Sequence, residues 1–362
     1  MKIATLQFAP RLGDVQGNIR RASELLERGK VVSGGAGAGG ELTSPSLEAL
    51  GPEILVLPEL ALTGYNFPSR EAIRPYLEPA GQGPSAEWAR ETARRFRCKV
   101  CVGYPEVERA AAESGGQEQG EKYYNSLLVV DENGELILNY RKAFLYYTDE
   151  TWAAEGDATQ GTLQLAIGGA PARQQVVDAS FGICMDINPY KFEAPFTAWE
   201  FANRVLDSKS QLVVLSMAWL TLLSKEELNG LADRPDLDTF NYWVQRFLPL
   251  IRRRMGHDVE IDGDAGAAKK IIIVFANRTG EEPNPGNDPP ARYAGTSAIV
   301  AVTQRPRAGQ AGSDDAEDPH ATAAFDVKIL CWDMMGATTE GVCFADTAQE
   351  PEMVFGLVKA SG

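Results

Sequence analysis

The fold is decided by a stretch that reads Gln174-Gln-Val-Val-Asp-Ala-Ser-Phe-Gly-Ile-Cys184-Met-Asp-Ile-Asn-Pro-Tyr190, then a helix-like run, then Gln211-Leu-Val-Val-Leu-Ser-Met-Ala-Trp219. The two apolar runs predict strands, and the segment between them predicts a helix, so the pattern indicates a β-turn-α-β unit. We expect the helix to begin at Pro189, since proline suits a first helical turn. Aromatic residues recur behind it at roughly helical spacing: Phe192, Phe196, Trp199 and Phe201.

Cys184 is predicted at the elbow between this strand and the helix. Free backbone N–H groups and the positive end of a helix lower a thiol pKa and can bind an oxyanion. A buried structural cysteine is the alternative, because free Cys is among the most buried residue types. Residues elsewhere in the chain must decide between the two.

Length, composition and net charge limit the classes of protein to which the chain can belong. With 362 residues and 44% apolar content, the chain can bury a sizeable core. Its 35 basic and 50 acidic residues give a net charge of −15, which argues against nucleic acid or an anionic membrane as the main partner. The sequence has no long apolar run and no apolar leader, so we expect a cytoplasmic protein.

Cysteine and histidine usage argues against metal and disulfide chemistry. The five cysteines are sparse and odd in number, and there are two histidines, His257 and His320. The motif Cys98-Lys-Val-Cys101 lies inside an apolar run without a second ligand pair, so neither a zinc site nor a redox role is expected there.

The remaining pattern predicts one α/β domain over residues 1–362, with surface insertions near 31–46, 221–238 and 305–323. We find no internal repeat and no convincing linker. Helices are predicted over 19–26, 86–96 and 241–251. Strands are predicted over 2–8, 53–57, 99–104, 123–130, 135–140, 270–275, 293–302, 325–332 and 352–359.

Two further strand ends carry charged residues. Glu59 follows a buried strand that stops at Pro58, where it is either a solvated loop residue or a site group at the sheet edge. Lys142 ends a hairpin beside Arg141, and a buried lysine needs carboxylates nearby. With Cys184 these residues form an acyl-transfer set that needs no histidine: a nucleophile, a proton carrier and an oxyanion-binding cation.

These residues stand in motifs that resemble the nitrilase superfamily of carbon-nitrogen hydrolases. The motifs are Leu57-Pro-Glu-Leu-Ala-Leu-Thr-Gly-Tyr65, Tyr140-Arg-Lys142 and Gly182-Ile-Cys-Met-Asp186, in the family's order. The segment after Cys184, Asp-Ile-Asn-Pro-Tyr-Lys-Phe from Asp186, is most similar to the fungal protein N-terminal amidase branch. True nitrilases usually carry an arginine close behind the cysteine, so this departure favours the amidase branch.

The resemblance implies a four-layer α-β-β-α sandwich and a Glu59-Lys142-Cys184 triad without cofactor or metal. It implies hydrolysis of the side-chain amide of an N-terminal Asn or Gln, through a thioester on Cys184, feeding degradation that reads N-terminal residues. Lys142 and the backbone N–H of Met185 would hold the oxyanion. Family members often carry a second glutamate after the lysine, for which Glu150 is our candidate and Asp149 the rival.

Substrate-binding residues are predicted less directly. Asp186 is the natural counter-ion for the substrate's α-ammonium, with Glu150 as a second candidate, but Asp186 can equally stabilise a helix N-terminus. Trp219 and Tyr65 are expected to wall a narrow slot, with core packing as the alternative for both.

Three other functions fit parts of the pattern. A small-molecule amidase, such as an ω-amidase or carbamoylase, would use the same triad. A glutamine amidotransferase would need a synthetase domain, and a catalytically silent binding module would not need an intact triad. The Asn or Gln preference and the oligomeric state, including a homo-oligomer, stay open from sequence.

Overall fold

The computed structural model describes residues 1–28, 31–32, 45–109, 120–168, 175–256, 268–284, 289–306 and 325–356. Most of the predicted insertion near 31–46 and residues 307–323 of the insertion near 305–323 lie outside these ranges, as do both histidines. The insertion near 221–238 is described and contains a helix.

The first sheet has the strand order β2-β16-β1-β3-β5-β6-β7, with β4 paired to β5. Its centre is mixed, since β1 pairs parallel with β3 and antiparallel with β16. The strands of this sheet are β1 (Lys2–Gln7), β2 (Val31–Val32), β3 (Ile54–Val56), β4 (Glu78–Pro79), β5 (Lys99–Glu108), β6 (Lys122–Val130), β7 (Leu136–Arg141) and β16 (Thr339–Asp346).

The second sheet has the order β17-β15-β14-β11-β10-β9-β8. Its strands are β8 (Thr162–Ile167), β9 (Gln175–Ile183), β10 (Leu212–Met217), β11 (Lys269–Asn277), β14 (Ala298–Pro306), β15 (Phe325–Met334) and β17 (Met353–Gly356). The strands β9, β10 and β11 run parallel, so their carboxyl ends lie at one edge. A small ribbon of β12 (Glu281–Glu282) and β13 (Ala291–Arg292) lies apart from both sheets.

Eight α-helices lie within the described ranges. They are α1 (Val15–Arg28), α2 (Leu47–Leu50), α3 (Arg70–Ile73), α4 (Pro84–Phe96), α5 (Glu200–Asp207), α6 (Lys225–Leu231), α7 (Leu237–Arg246) and α8 (Leu248–Arg252). Apolar residues of α1 and α4 pack on the first sheet, and those of α5, α7 and α8 pack with the second. None of these helices combines the length and apolar character needed to cross a membrane.

Side chains that alternate along a single strand pack into the cores on both faces of the sheet and so connect the layers. In β3, Ile54 and Val56 join the core shared with the second sheet, whereas Leu55 joins the core beneath α1 and α4. Successive side chains of a strand point to opposite faces, so one short strand serves two cores. The protein is therefore a four-layer α-β-β-α sandwich, and this prediction is confirmed.

The β-turn-α-β unit is confirmed by the parallel pairing of β9 and β10, but the helix predicted from Pro189 is wrong. The chain instead forms short 3₁₀ turns, and α5 begins only at Glu200. Lys191 and Phe192 have φ of 53° and 55°, which is incompatible with a continuous right-handed helix.

Sequence reasoning missed two of the longer strands, β8 and β16, together with the four two-residue strands, and overextended one strand. The strand β16 has a glycine and polar residues that weaken its alternation, and its partner β1 lies at the other end of the chain. The strand β8 was also missed. The strand predicted over 293–302 begins only at Ala298, because Gly295 and Thr296 have positive φ, which interrupts an extended strand.

Candidate active site

Three strand ends bring the predicted residues to one place between the sheets. Glu59 follows β3, Lys142 follows β7 and Cys184 follows β9. The two sheets are joined here by hydrogen bonds, since the Ser216 hydroxyl donates to the Leu57 carbonyl over 2.9 Å. The edge where these strands end is thus also the seam between the layers.

Gly103 on β5 allows Glu59 to approach so closely. A Cβ at this glycine would lie 2.8 Å from the Glu59 Cα and 2.7 Å from the backbone nitrogen of Leu60. Real side chains do not tolerate such contacts with backbone, so we expect any residue larger than glycine to displace Glu59.

Glu59 and Lys142 form a wholly buried ion pair. The Lys142 Nζ lies 2.6 Å from Oε1 of Glu59, and both side chains are fully inaccessible to solvent. The other carboxylate oxygen, Oε2, accepts a hydrogen bond from the backbone N–H of Ala218 over 2.9 Å. Each charge is therefore compensated, as burial requires.

Asp149 is the second carboxylate on Lys142, at 2.5 Å from Nζ, so the structure corrects our choice of Glu150. Glu150 points to solvent from the same 3₁₀ turn. Asn125 donates from Nδ2 to Glu59 and to Asp149, over 2.7 and 3.0 Å. We call Glu59, Asn125, Lys142 and Asp149 the buried cluster.

Burial and charge set the pKa values of this cluster. Desolvation raises the pKa of Glu59 above its ordinary value, although the attraction of Lys142 opposes this shift. Desolvation alone would lower the pKa of Lys142, but Asp149 and Glu59 outweigh it and raise the pKa. Lys142 thus keeps its proton, and Glu59 is the better proton acceptor of the two.

Cys184 stands at a sharp elbow with a φ of 40°, a left-handed conformation that is unusual for a residue with a side chain. Such strain persists where the surrounding structure holds it, and it clusters at functional sites. The backbone N–H of Ala218, already bonded to Glu59, also donates toward the Cys184 sulfur. The thiol and the Glu59 carboxylate therefore share one backbone donor.

The resting thiol is protonated. Burial, followed by the negative charge of Glu59, raises the pKa of Cys184 well above its ordinary value, against the opposing effect of Lys142. A thiolate then forms only if its proton passes to an adjacent base. Glu59 is the base that the geometry offers.

Asp186 does not face the pocket, which corrects its assignment as the α-ammonium anchor. Its Oδ1 accepts from the backbone N–H groups of Ala143 and Phe144, over 3.1 and 2.8 Å. Its Oδ2 accepts from Ile183 N–H and from the Tyr140 hydroxyl, over 2.8 and 2.9 Å. Because four donors occupy the carboxylate, Asp186 holds the elbow after Cys184 in place instead.

A pocket of about 490 Å³ ends at Cys184. Its wall includes the predicted residues Met185, Trp219 and Tyr65. The rest of the lining comes mainly from the loop after β10 and the first turns of α7: Ala218, Leu220, Thr221, Leu222, Leu223, Asp236, Asp238, Thr239 and Tyr242, with Tyr146, Asn188 and Phe192 from other segments.

The loop that forms the Tyr65 side of the pocket is held by a buried carboxylate that sequence reasoning missed. Glu282 accepts hydrogen bonds from the backbone N–H groups of Tyr65 and Asn66 and from the Tyr293 hydroxyl. Its charge is balanced by Arg278, which is also buried. This arrangement fixes the loop that carries Tyr65 against the pocket.

Two other missed residues had a visible signal. Asn125 lies beside Ser126 in the mainly apolar strand β6, and a buried polar residue in such a strand indicates a specific partner. Arg246, on the buried face of α7, donates to the carbonyls of Ile187 and Phe196 and so holds the segment after Cys184. The partners of Asn125 in the buried cluster, and those of Arg246 in the segment after Cys184, could not be predicted from the sequence.

The other cysteines lie in the core. Burial raises the pKa of Cys98 to about 12 and raises that of Cys101 further, so both thiols stay protonated. Within the part of the chain that the structure describes, no group of three or more His, Cys, Asp or Glu side chains could hold a metal ion.

Comparison with known proteins shows which family and which relatives the chain resembles. The carbon-nitrogen hydrolase family matches residues 2–188, a range that contains Glu59, Lys142 and Cys184. A protein N-terminal amidase of Schizosaccharomyces pombe is 32% identical over 84% of this chain and 92% of the relative. The protein N-terminal amidase of Saccharomyces cerevisiae is 34% identical over 69% of this chain and 64% of the relative.

Solved structures agree at the level of fold. A crystal structure of an N-terminal amidase with a Gln-Gly peptide has a TM-score of 0.67 and 24% sequence identity, and the match covers 95% of this chain and 96% of that chain. Another, with an Asn-Glu peptide, has the same TM-score and covers 99% of both chains.

Proposed function

Because the chain belongs to the carbon-nitrogen hydrolase family, we propose that it hydrolyses the side-chain amide of N-terminal Asn or Gln in peptides and proteins. The chain is an enzyme, a cysteine-dependent hydrolase of linear amides. The observation that carries the substrate assignment is the pocket, which ends at Cys184 beside the buried cluster. Relatives named protein N-terminal amidase support it.

The first step forms a thioester. Cys184 passes its proton to Glu59 as its sulfur attacks the carboxamide carbon, since the pKa of the thiol is too high for a free thiolate. Lys142 stays protonated and stabilises the tetrahedral oxyanion, together with the backbone N–H of Met185. Glu59 then gives the proton to the leaving nitrogen, and ammonia departs.

The second step regenerates the enzyme. Water enters in place of ammonia, and Glu59 takes one proton from it as the oxygen attacks the thioester carbonyl. The carbon–sulfur bond breaks, the sulfur recovers its proton from Glu59, and the peptide leaves with Asp or Glu at its terminus. Every proton is accounted for without a metal or cofactor.

The biological setting is part of the same proposal. The enzyme would act in the cytoplasm on free peptide and protein termini, and its products would feed degradation that reads N-terminal residues. The net charge of −15 supports a cationic terminus as partner over nucleic acid or an anionic membrane.

Matched peptides test the proposal. Purified protein is incubated with peptides that begin with Asn, Gln or acetyl-Asn, and with free asparagine and glutamine. We expect ammonia release and a mass gain of about one unit for the free-amine peptides only. Cys184→Ala should abolish the reaction, whereas Cys331→Ala, which removes a core thiol, should retain it. Turnover of the free amino acids with no turnover of peptides would contradict the proposal and favour a small-molecule amidase.

A further inference from the structure

A substrate with a free N-terminus brings a positive charge into the pocket, and the structure leaves both predicted counter-ions out of it. Asp186 is occupied by four donors, and Glu150 points to solvent outside the pocket lining. A desolvated ammonium is costly unless a carboxylate or several acceptors replace its water. A carboxylate among the lining residues would supply the missing counter-charge.

Two carboxylates lie in the pocket wall, both at the start of α7. Asp236 is the N-cap of this helix and is already engaged, since it accepts from the Thr239 N–H and from the hydroxyls of Thr221 and Thr239. Asp238 is exposed, and across the described ranges its carboxylate has neither a hydrogen bond nor an ion pair. Asp238 is therefore the available anion of the wall.

The surroundings of Asp238 suit a cation. Tyr242 lies one helical turn further along α7 on the same face and also lines the pocket, so this face is directed toward bound substrate. The Tyr242 ring lies 5.6 Å from that of Trp219, and aromatic faces attract ammonium groups. Among the described lining residues there is no Lys or Arg to compete.

We propose that Asp238 binds the α-ammonium of the substrate and so restricts the enzyme to free N-termini. This proposal rests on the N-terminal amidase function and adds the residue that reads the terminus. The salt bridge forms at the pocket mouth while the side-chain amide reaches Cys184. It acts on ground state and transition state alike, so its loss should raise KM more than it lowers kcat.

A pair of substrates isolates this contact. One peptide begins with Asn, and its partner begins with a succinamoyl group, which has the same side-chain amide but lacks the α-amine. In Asp238→Asn, kcat/KM for the Asn peptide should fall about 10- to 100-fold, the range expected for a lost charged hydrogen bond. The succinamoyl peptide should change by less than about twofold, since it never contacts the carboxylate.

The control variant is Glu226→Gln. It removes the same charge from an exposed position on α6 outside the pocket lining, so both peptides should react as with the wild type. Asp238→Glu should restore part of the preference for the Asn peptide, because it returns the charge.

The outcomes separate the two proposals. If the wild type converts the Asn peptide but Asp238→Asn keeps its preference over the succinamoyl peptide, the Asp238 assignment is overturned and the amidase function stands. A lowered melting temperature with an unchanged preference would overturn it too, since it would mean that Asp238 only stabilises the helix N-terminus. If the wild type converts neither peptide, the amidase function itself fails.

Discussion

The buried cluster beside Cys184 and the outer rim of the pocket differ in burial and in charge. In the buried cluster, Lys142, Glu59 and Asp149 are fully inaccessible, and Lys142 is hydrogen-bonded to both carboxylates. The rim of the pocket carries the exposed apolar side chains Phe192 and Leu222, and Tyr147 packs on Phe192 outside the lining. Leu222 has no protein cover at all, with 105% relative exposure.

The difference shows where chemistry and selectivity are separated. Reacting charges must be taken out of water to be effective, and that is possible only when each has a fixed partner. The rim makes no such demand, because an exposed apolar side chain contributes little to folding and is free to contact substrate. Substitutions in the buried cluster should therefore affect stability and turnover together, and those in the rim only the choice of substrate.

The largest effect is expected for Lys142→Met. It leaves two buried carboxylates without their cation, which should lower the free energy of unfolding by about 3–5 kcal/mol and abolish turnover. Lys225→Met breaks an exposed pair with Glu281 and should cost less than about 1 kcal/mol. Urea unfolding and ammonia release measure both variants. Equal losses in the two would show that burial does not distinguish these pairs.

A smaller effect is expected for the neighbours Asp149 and Glu150. Asp149→Asn weakens the contact with Lys142 and should reduce kcat/KM by about 10- to 100-fold on a peptide with N-terminal Asn. Glu150→Gln should retain wild-type kcat/KM, since this side chain points to solvent. The reverse result would restore Glu150 as the supporting carboxylate.

The pH dependence of the buried cluster gives the third test. Glu59 must be ionised to accept the thiol proton, and burial raises its pKa, so the acid limb of kcat/KM should lie above the ordinary glutamate value. The hydrogen bond from Asn125 favours the ionised form. Asn125→Ala should therefore raise the pKa further and move the acid limb upward by about one pH unit.

Asn139→Ala is the control for this shift, because Asn139 donates to Glu106 on the same sheet and not to the buried cluster. Its acid limb should coincide with that of the wild type. A limb that stays in place in Asn125→Ala would mean that Glu59 is not the group whose ionisation limits the reaction.

The smallest effect is expected at the rim. Leu222→Ser should leave the free energy of unfolding within about 0.5 kcal/mol of the wild type. It should raise KM about 3- to 10-fold for peptides with an apolar second residue, from the lost apolar contact, and leave Asn-Gly peptides unchanged. Leu237→Ser, at an exposed leucine outside the lining, should change neither. A loss shared by all peptides would show that Leu222 supports the site instead of reading the substrate.

The strand ends that carry Glu59, Lys142 and Cys184 were predictable because strand patterns are local. An apolar run that ends at Pro58 or at Cys184 places the residue at its end, and the one that follows, at the edge of the sheet in any fold with parallel strands. The segment after Cys184 was not predictable in the same way. Its aromatic spacing is helical, but the positive φ of Lys191 and Phe192 replaces a helix with turns.

The sequence by itself determined the family through its motifs, and the resemblance to that family implied the four layers and the residues that meet at the seam. Only the tertiary structure decided that Asp149 and not Glu150 contacts Lys142, and that Asp186 faces backbone donors instead of the pocket. These choices depend on backbone angles and on contacts between distant segments. Asp149 and Glu150 are adjacent carboxylates whose side chains point in different directions, and a sequence pattern does not contain that direction.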